Sequence, residues 1–514
     1  MNKKYIDYLF KNRRIAVVFF LILYLGISLS GFMTMYRDLT PLAMYDRVRD
    51  ALGVGFAMSM ILAYALPVLQ FSYVHSKKSV DLFFAMPVSR RDQLLGNLLF
   101  CFAVSFGYFV INAVLAYILG RGGTIPVDNY LIYVLAAGIY LLVTIVITSM
   151  FYLLANNVFD GIVMIGAYSA LPLLIWGVKD SFISYTVAGM STTGFDTLSG
   201  YFSPLYMISI TMDRLYDHLN KSFMNAGINP VFAVLPVIMA VVAAWFLKRH
   251  FVDREAERAD QVSDQFFAYP FVIHIYAFLI MVVFGFSFRD NSFATSFLWY
   301  ILLLFVYIVA TFVYKRKIEI TPKYLIRYGV GVLVTLLLGY AAFATEGFGQ
   351  ARKYTTKEGN YLNYTYSARV DCKDLGRLVD QENGEEWING CNVNVSVSIP
   401  TNRFDDHREV LEMIDQKRQQ DIDWFYSDYD QYRRYPIHTM FVNTDKAPEN
   451  DDDGRVWYNS WNQWRYSSKE TFTEDQLKYL AQYGMVTVWP NDYEKWPYED
   501  GQVDLEQFIK DRGK

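Results

Sequence analysis

The residues best suited to chemistry in this chain are its six histidines and three cysteines, and their spacing excludes most of it. His75, His218, His250, His274, His407 and His438 are scattered, with neither the i, i+4 spacing nor the cysteine neighbours of a zinc site. Neither H-E-x-x-H nor G-x-S-x-G occurs, so the sequence predicts no catalytic residue and no metal site. It has no G-x-x-x-x-G-K-[ST] loop, so it cannot itself cradle nucleotide phosphates in the P-loop manner. Glu449-Asn450-Asp451-Asp452-Asp453-Gly454 starts like a calcium loop, but Ser460 stands where the bidentate Glu is required; a solvated acidic turn is the reading. Cys101 sits in an apolar run as a packing residue. Cys372 and Cys391 are the one pair that could form a bridge, which needs Cα atoms about 4.4–6.8 Å apart; the sequence leaves bonded and free thiols both open. His274 and Asn112 are polar groups inside apolar runs, and either a cavity or helix-to-helix hydrogen bonding accounts for them.

The stretch His75 to Gln93, HSKKSVDLFFAMPVSRRDQ, is more specific. Ser79 is placed to cap a short helix in which Leu82, Phe83 and Met86 share an apolar side. Pro87 stops that helix, and Ser89 before Arg90, Arg91 and Asp92 starts the next. Lys77 and Lys78 stand on the other flank, so the hairpin offers an apolar face between cations. Such a segment either docks a partner or lies among anionic lipid headgroups.

Nine apolar runs surround the hairpin and must position it: Ile15–Tyr36, Leu52–Val74, Leu94–Leu119, Leu131–Leu154, Gly161–Val178, Val231–Leu247, Phe271–Phe286, Phe293–Val313 and Tyr324–Ala344. A bilayer core of roughly 30 Å takes about 20 mostly apolar residues in a helix. The predicted fold class is therefore an all-α polytopic membrane domain of about nine transmembrane helices, followed by a C-terminal α+β extracytoplasmic domain. The first run is too long for a signal peptide and lacks a small-residue cleavage site, so it reads as a retained span. Residues 346–514 carry 21 Lys and Arg against 32 Asp and Glu, net −11, while the remainder carries 26 against 19, net +7. The N-terminus, Lys77, Lys78, Arg90, Arg91, Lys248, Arg249, Arg254, Arg258 and Lys315 to Lys317 fall on one side. That excess places the N-terminus in the cytoplasm and, with nine spans, the C-terminal domain outside a plasma membrane.

The phrase Ser72-Tyr73, His75-Ser76-Lys77-Lys78-Ser79-Val80-Asp81, Ala85-Met86-Pro87-Val88-Ser89-Arg90-Arg91 and Gly96-Asn97 resembles the signature region of ABC transporter permeases common in Gram-positive bacteria. The resemblance implies an amphipathic N-terminal helix over 1–14 and a six-helix permease core over 15–248. In that core 75–93 is the coupling helix region and 179–230 an outer helical loop. A cytoplasmic linker with three further spans over 249–345 and the acidic, aromatic-rich domain 346–514 depart from the six-span pattern. The implied partners are a cytoplasmic ABC ATP-binding subunit, a second permease as homodimer or heterodimer, and membrane lipids; nucleic acid is not among them. The chain needs no cofactor of its own, since ATP and Mg belong to the partner ATPase, and it is not expected to be an enzyme. ATPase coupling is expected at Lys77, Lys78, Val80, Asp81, Leu82, Phe83, Phe84, Met86, Pro87, Arg90 and Arg91, braced by Tyr5, Tyr8, Leu9 and Phe10. The expected function is outward movement of a drug, peptide or lipid-like substrate by an ATP-driven exporter. The alternative is a non-transporting membrane sensor with a ligand-binding outer domain.

In that domain Val393, Val395, Val397 and Ile399 alternate as a strand does, and 405–425 and 473–483 read as helices, the latter with Thr473 and Gln476 at capping-box spacing. Seven of the ten tryptophans lie here, as core or as a binding face.

Overall fold

The computed structural model describes residues 3–30, 41–120, 125–190, 200–217, 219, 228–261, 263, 265–289, 293–317, 322–352, 361–379, 390–400, 403–432, 437–443, 449–450, 456–457, 462–490 and 503–512. The acidic turn 451–454, Trp387, Trp461, Trp496, His218 and the end of the first apolar run, 31–36, lie outside them.

The apolar runs form long helices. They are α1 (Lys3–Ser28), α2 (Pro41–Phe71), the short α3 (Lys77–Phe84), α4 (Arg90–Leu119), α5 (Val127–Leu153), α6 (Val158–Thr186), α7 (Pro204–Asp217), α8 (Pro230–Val252), α9 (Tyr269–Phe286), α10 (Phe293–Lys315) and α11 (Pro322–Ala344). Among the described residues eight helices are long and apolar enough to cross a membrane: α2, α4, α5, α6, α8, α9, α10 and α11. The expected ninth is α1. Its basic start and its apolar continuation are one unbroken helix, so the division expected after residue 14 is no structural break.

The chain divides into two compact units that differ from the expected domains. One comprises Met1–Trp176, Phe195–Leu279 and Phe305–Ile320, the other Gly177–Gly194, Ile280–Leu304 and Thr321–Lys514. In the first, Leu52 and Ala63 of α2, Phe109 of α4, Leu141 and Ile145 of α5 and Ala243 of α8 form a buried apolar core. Two polar side chains within the helices of this unit find partners on neighbouring helices, which satisfies them where water is absent. Asn112 donates from Nδ2 to the Ala51 carbonyl at 2.8 Å and accepts from Ser28 Oγ at 2.8 Å. His274 Nε2 meets Tyr307 Oη at 3.3 Å. Of the two readings open for Asn112 and His274, helix-to-helix bonding describes both.

The second unit holds a six-stranded antiparallel sheet in the order β6-β3-β1-β2-β7-β8. Its strands are β1 (Tyr361–Asp371), β2 (Gly390–Pro400), β3 (Ile437–Asn443), β6 (Asn462–Ser467), β7 (Gly484–Pro490) and β8 (Val503–Asp504). A separate pair, β4 (Glu449–Asn450) and β5 (Val456–Trp457), stands apart from this sheet. The predicted alternation holds: Val393, Val395, Val397 and Ile399 are buried on one face. Helices α12 (Arg408–Ser427), α13 (Tyr429–Tyr432), α14 (Glu474–Ala481) and α15 (Leu505–Arg512) complete the unit, and Val410, Ile414, Leu477 and Phe508 join the sheet's core. Thr473 and Gln476 make the capping box in both directions at the start of α14. Cys372 and Cys391 form a disulfide with Cα atoms 5.1 Å apart, joining the end of β1 to β2.

The expected boundary at residue 346 does not separate this sheet from the preceding helices. Phe343 of α11 packs on Tyr426 of α12 with ring centroids 5.0 Å apart, and the Arg289 guanidinium lies 3.9 Å over the Phe343 ring. Tyr426 Oη donates to the Thr186 carbonyl at 2.7 Å, which brings the end of α6 into the same unit.

Candidate functional site: the hairpin between two spans

The hairpin begins one turn earlier than the sequence suggests. Helix α3 starts at Lys77 with Ser76 in the extended N-cap conformation, and the Ser76 carbonyl accepts from the Val80 amide at 2.9 Å. Ser79 lies inside the first turn and is not the cap. The cause is tertiary: a 3-10 turn, Ser72–His75, runs straight on from α2, and Val80 is buried at 1% exposure, which sets the rotation of the helix. Ser89 does cap α4, its Oγ accepting from the Asp92 amide at 3.1 Å.

The aromatic residues of α3 face inward. Phe83 stacks on Tyr73 at 4.2 Å between centroids, and Phe84 meets Phe251 at 6.4 Å. The expected apolar contact face of Leu82, Phe83, Phe84 and Met86 is therefore divided. Leu82 is 66% exposed, while Phe83 and Phe84 pack against the cluster of Phe71, Leu94, Tyr152 and Leu247. Met86 and Val88 pack against the cluster containing Tyr5 and Leu9. What the hairpin presents outward is Ser76, Lys77, Lys78, Asp81, Leu82, Ala85, Pro87, Ser89 and Arg91.

A set of hydrogen bonds that the sequence does not announce holds the hairpin at a fixed angle. Gln93 Nε2 donates to the Phe83 carbonyl at 2.8 Å and the Val88 carbonyl at 3.3 Å, so the first residues of α4 clamp the turn. Asn97 gathers three neighbours: its Oδ1 accepts from Tyr5 Oη at 3.1 Å and Gln70 Nε2 at 3.0 Å, and its Nδ2 donates to Tyr73 Oη at 3.1 Å. Of the expected N-terminal brace, Tyr5 and Leu9 are buried, Phe10 packs on Phe100 at 4.9 Å, and Tyr8 is 46% exposed.

Arg90 is not a free surface cation. Its guanidinium lies 4.3 Å over the Phe84 ring and donates from Nη1 to the carbonyls of Val252 at 2.9 Å and Arg254 at 2.6 Å. Arg254 is buried in turn and donates to the carbonyls of Leu153 at 3.1 Å and Ala155 at 3.0 Å, and to Asn156 Oδ1 at 3.0 Å. Burial is the main cause that pushes the Arg254 pKa down, to about 10, helped by the charge of Arg258; at neutral pH it stays a cation and keeps these bonds. The hairpin, the end of α5 and the chain after α8 are thereby tied into one platform. Asn97, Gln93 and Arg254, missed as candidates, are ordinary residue types in sequence; only the partners that folding brings to them mark them out, side chains for Asn97, the hairpin's carbonyls for Gln93 and distant carbonyls for Arg254.

The platform presents a short, partly exposed helix on a packed and hydrogen-bonded base. Among the described residues no group of three or more His, Cys, Asp or Glu is placed to hold a metal ion. The fold defines a helical multi-pass membrane protein with an antiparallel sheet in its C-terminal region. No family model, curated protein or solved structure matches the chain.

Proposed function

We propose that the chain is the membrane-spanning permease subunit of an ATP-driven exporter, with its ATPase on a separate polypeptide. The observation that carries this reading is the hairpin between α2 and α4. It is a short exposed helix whose interior side is locked by Phe83, Phe84, Gln93 and Arg90 to three long helices and to the segment after α8. A push on Leu82 and its flanking cations is delivered to the ends of α2, α4, α5 and α8 together, because packed interiors transmit displacement with little give. A segment that merely rests among headgroups has no need of that rigid connection. The charge asymmetry supports a cytoplasmic hairpin, and the Cys372–Cys391 disulfide supports an oxidising, outer location for the sheet.

Purification of the full chain from its own membranes in mild detergent tests the proposal. A P-loop ATPase in stoichiometric yield is the expected result. A chain that purifies with no ATPase, yet changes its protease pattern on binding a ligand, would support a membrane sensor instead.

A further inference from the structure

Helix α7 enters the bundle from one end and stops inside it. Its C-terminal end is pinned where α2 and α5 begin: Arg49 Nη2 pairs with Asp217 Oδ1 at 3.0 Å, Tyr216 Oη donates to Asp50 Oδ1 at 2.9 Å, and Asn129 Nδ2 donates to the Leu219 carbonyl at 3.2 Å. The helix has 14 residues, so its other end lies about 21 Å away along its axis. That end faces Thr144 and Thr148 of α5 and Ile238 of α8, well inside the spans. Irregular backbone at such depth is tolerated where it is covered by protein or lines a cavity, and here there is a cavity.

The cavity has a volume of about 400 Å³ and lies among α2, α5, α6, α7 and α8. Thr148 at 1% exposure lies deep within it, while Ile238 at 53% and Val242 at 61% sit at its rim. No Asp, Glu, Lys, Arg or His is among its lining residues, and the Thr144 hydroxyl is already committed to the Tyr140 carbonyl at 2.9 Å. A charged group would lose its hydration there without a partner, and water is poorly held by apolar walls.

We infer that this cavity takes the hydrocarbon chain of a membrane amphiphile, acyl or isoprenyl, while its polar head stays outside. The inference deepens the permease reading by naming its substrate class, and rests on that reading only for the step of transport. The test uses the purified full chain in nanodiscs, with a photoreactive diazirine placed at the tail end of a phospholipid in one arm and of an isoprenyl phosphate in the other. Saturable crosslinks at Thr148, Leu205 and Ile238 in either arm are the expected result, and the arm that saturates at lower probe concentration identifies the chain type. Thr148→Trp, filling the floor, and Val242→Trp, filling the mouth, should each cut that labelling at least fivefold. Val241→Trp, on a position 66% exposed and outside the cavity lining, should leave it unchanged. Labelling of Val241 and Trp245 as strong as that of Thr148, without saturation in both arms, would mean bulk lipid only and overturn the inference. Crosslinking requires neither ATPase nor transport. Saturable labelling of a chain that never associates with an ATPase would therefore sink the permease reading and leave the cavity's ligand standing.

Discussion

Two neighbouring side chains in the hairpin have opposite duties. Phe83 stacks within the chain while Leu82 projects away from it. Phe83→Ala is expected to lower the stability of the first unit by about 1–2 kcal/mol, less than the roughly 1.5–3 for a fully buried side chain because Phe83 is half-buried, whereas Leu82→Ala should stay within about 0.5 kcal/mol; thermal melts of the purified chain compare them. A second residue-scale prediction concerns the buried set beneath the sheet. Ser468 Oγ donates to Asp421 Oδ2 at 3.1 Å and lies 2.9 Å from His438 Nδ1, while His438 Nε2 lies 3.4 Å from the same carboxylate oxygen. Burial raises the Asp421 pKa from 3.8 to about 7, against the pull of Lys417, and lowers that of His438 from 6.5 to about 3. A raised folded pKa favours the fold as pH falls, and a lowered one opposes it. Between about pH 4 and 6.5 the folded pair holds its proton on Asp421 and the unfolded chain on His438, so the two effects cancel. Asp421→Asn removes only the first. That variant should lose stability as pH falls from about 6.5 toward 4, by up to about 1.4 kcal/mol per pH unit, while the unsubstituted pair contributes little slope. Melts followed by tryptophan fluorescence at both ends of that range check it, and equal slopes for the two proteins would contradict the assignment.

At the level of elements, the spans, the strand at Val393–Ile399 and the Thr473–Gln476 capping box were legible because each is a local pattern: a length of apolar chain, a period of two, a fixed offset. The start of α3 was not. Ser76 and Ser79 are both competent caps, and the choice falls to the burial of Val80 and the 3-10 turn before it, which depend on distant partners. The depth of α7 was equally hidden, since a 14-residue amphipathic helix has the same sequence whether it lies on a membrane face or enters the bundle; Asp217 and Tyr216 fix it through Arg49 and Asp50. The crossing of α9 and α11 is another such case. A Cβ on Gly339 would overlap the Gly285 carbonyl, and a Cβ on Gly285 would overlap the Thr335 carbonyl, so the two backbones touch. Gly339→Val should separate them and cost about 1–3 kcal/mol as overpacking does. Gly329→Ala, where the new Cβ meets nothing within 4 Å, is the matched control. A melting temperature unchanged by Gly339→Val would show that the crossing bears no load.

For the whole molecule, orientation and coupling are the two claims that span it. If α1 crosses the membrane with the eight other helices, the sheet lies outside. After mild reduction Cys372 or Cys391 should then react with an impermeant thiol reagent in intact cells stripped of their wall, while buried Cys101 should not. Reaction only after lysis would mean an even number of crossings. The hydrogen-bonded platform behind the hairpin was invisible in the sequence because Arg90 and Arg254 read as surface cations until the carbonyls of Val252 and Leu153 are brought to them. Its outer side is where coupling must be tested. The most direct measurement is photo-crosslinking from single reactive side chains at positions 82 and 83 in the protein's own membranes, where the proposed partner ATPase would be present. The account predicts a crosslink to the ATPase from Leu82, strengthened when ATP is bound, and none from Phe83. Equal crosslinking from both positions, or crosslinks from Leu82 to lipid alone, would contradict it.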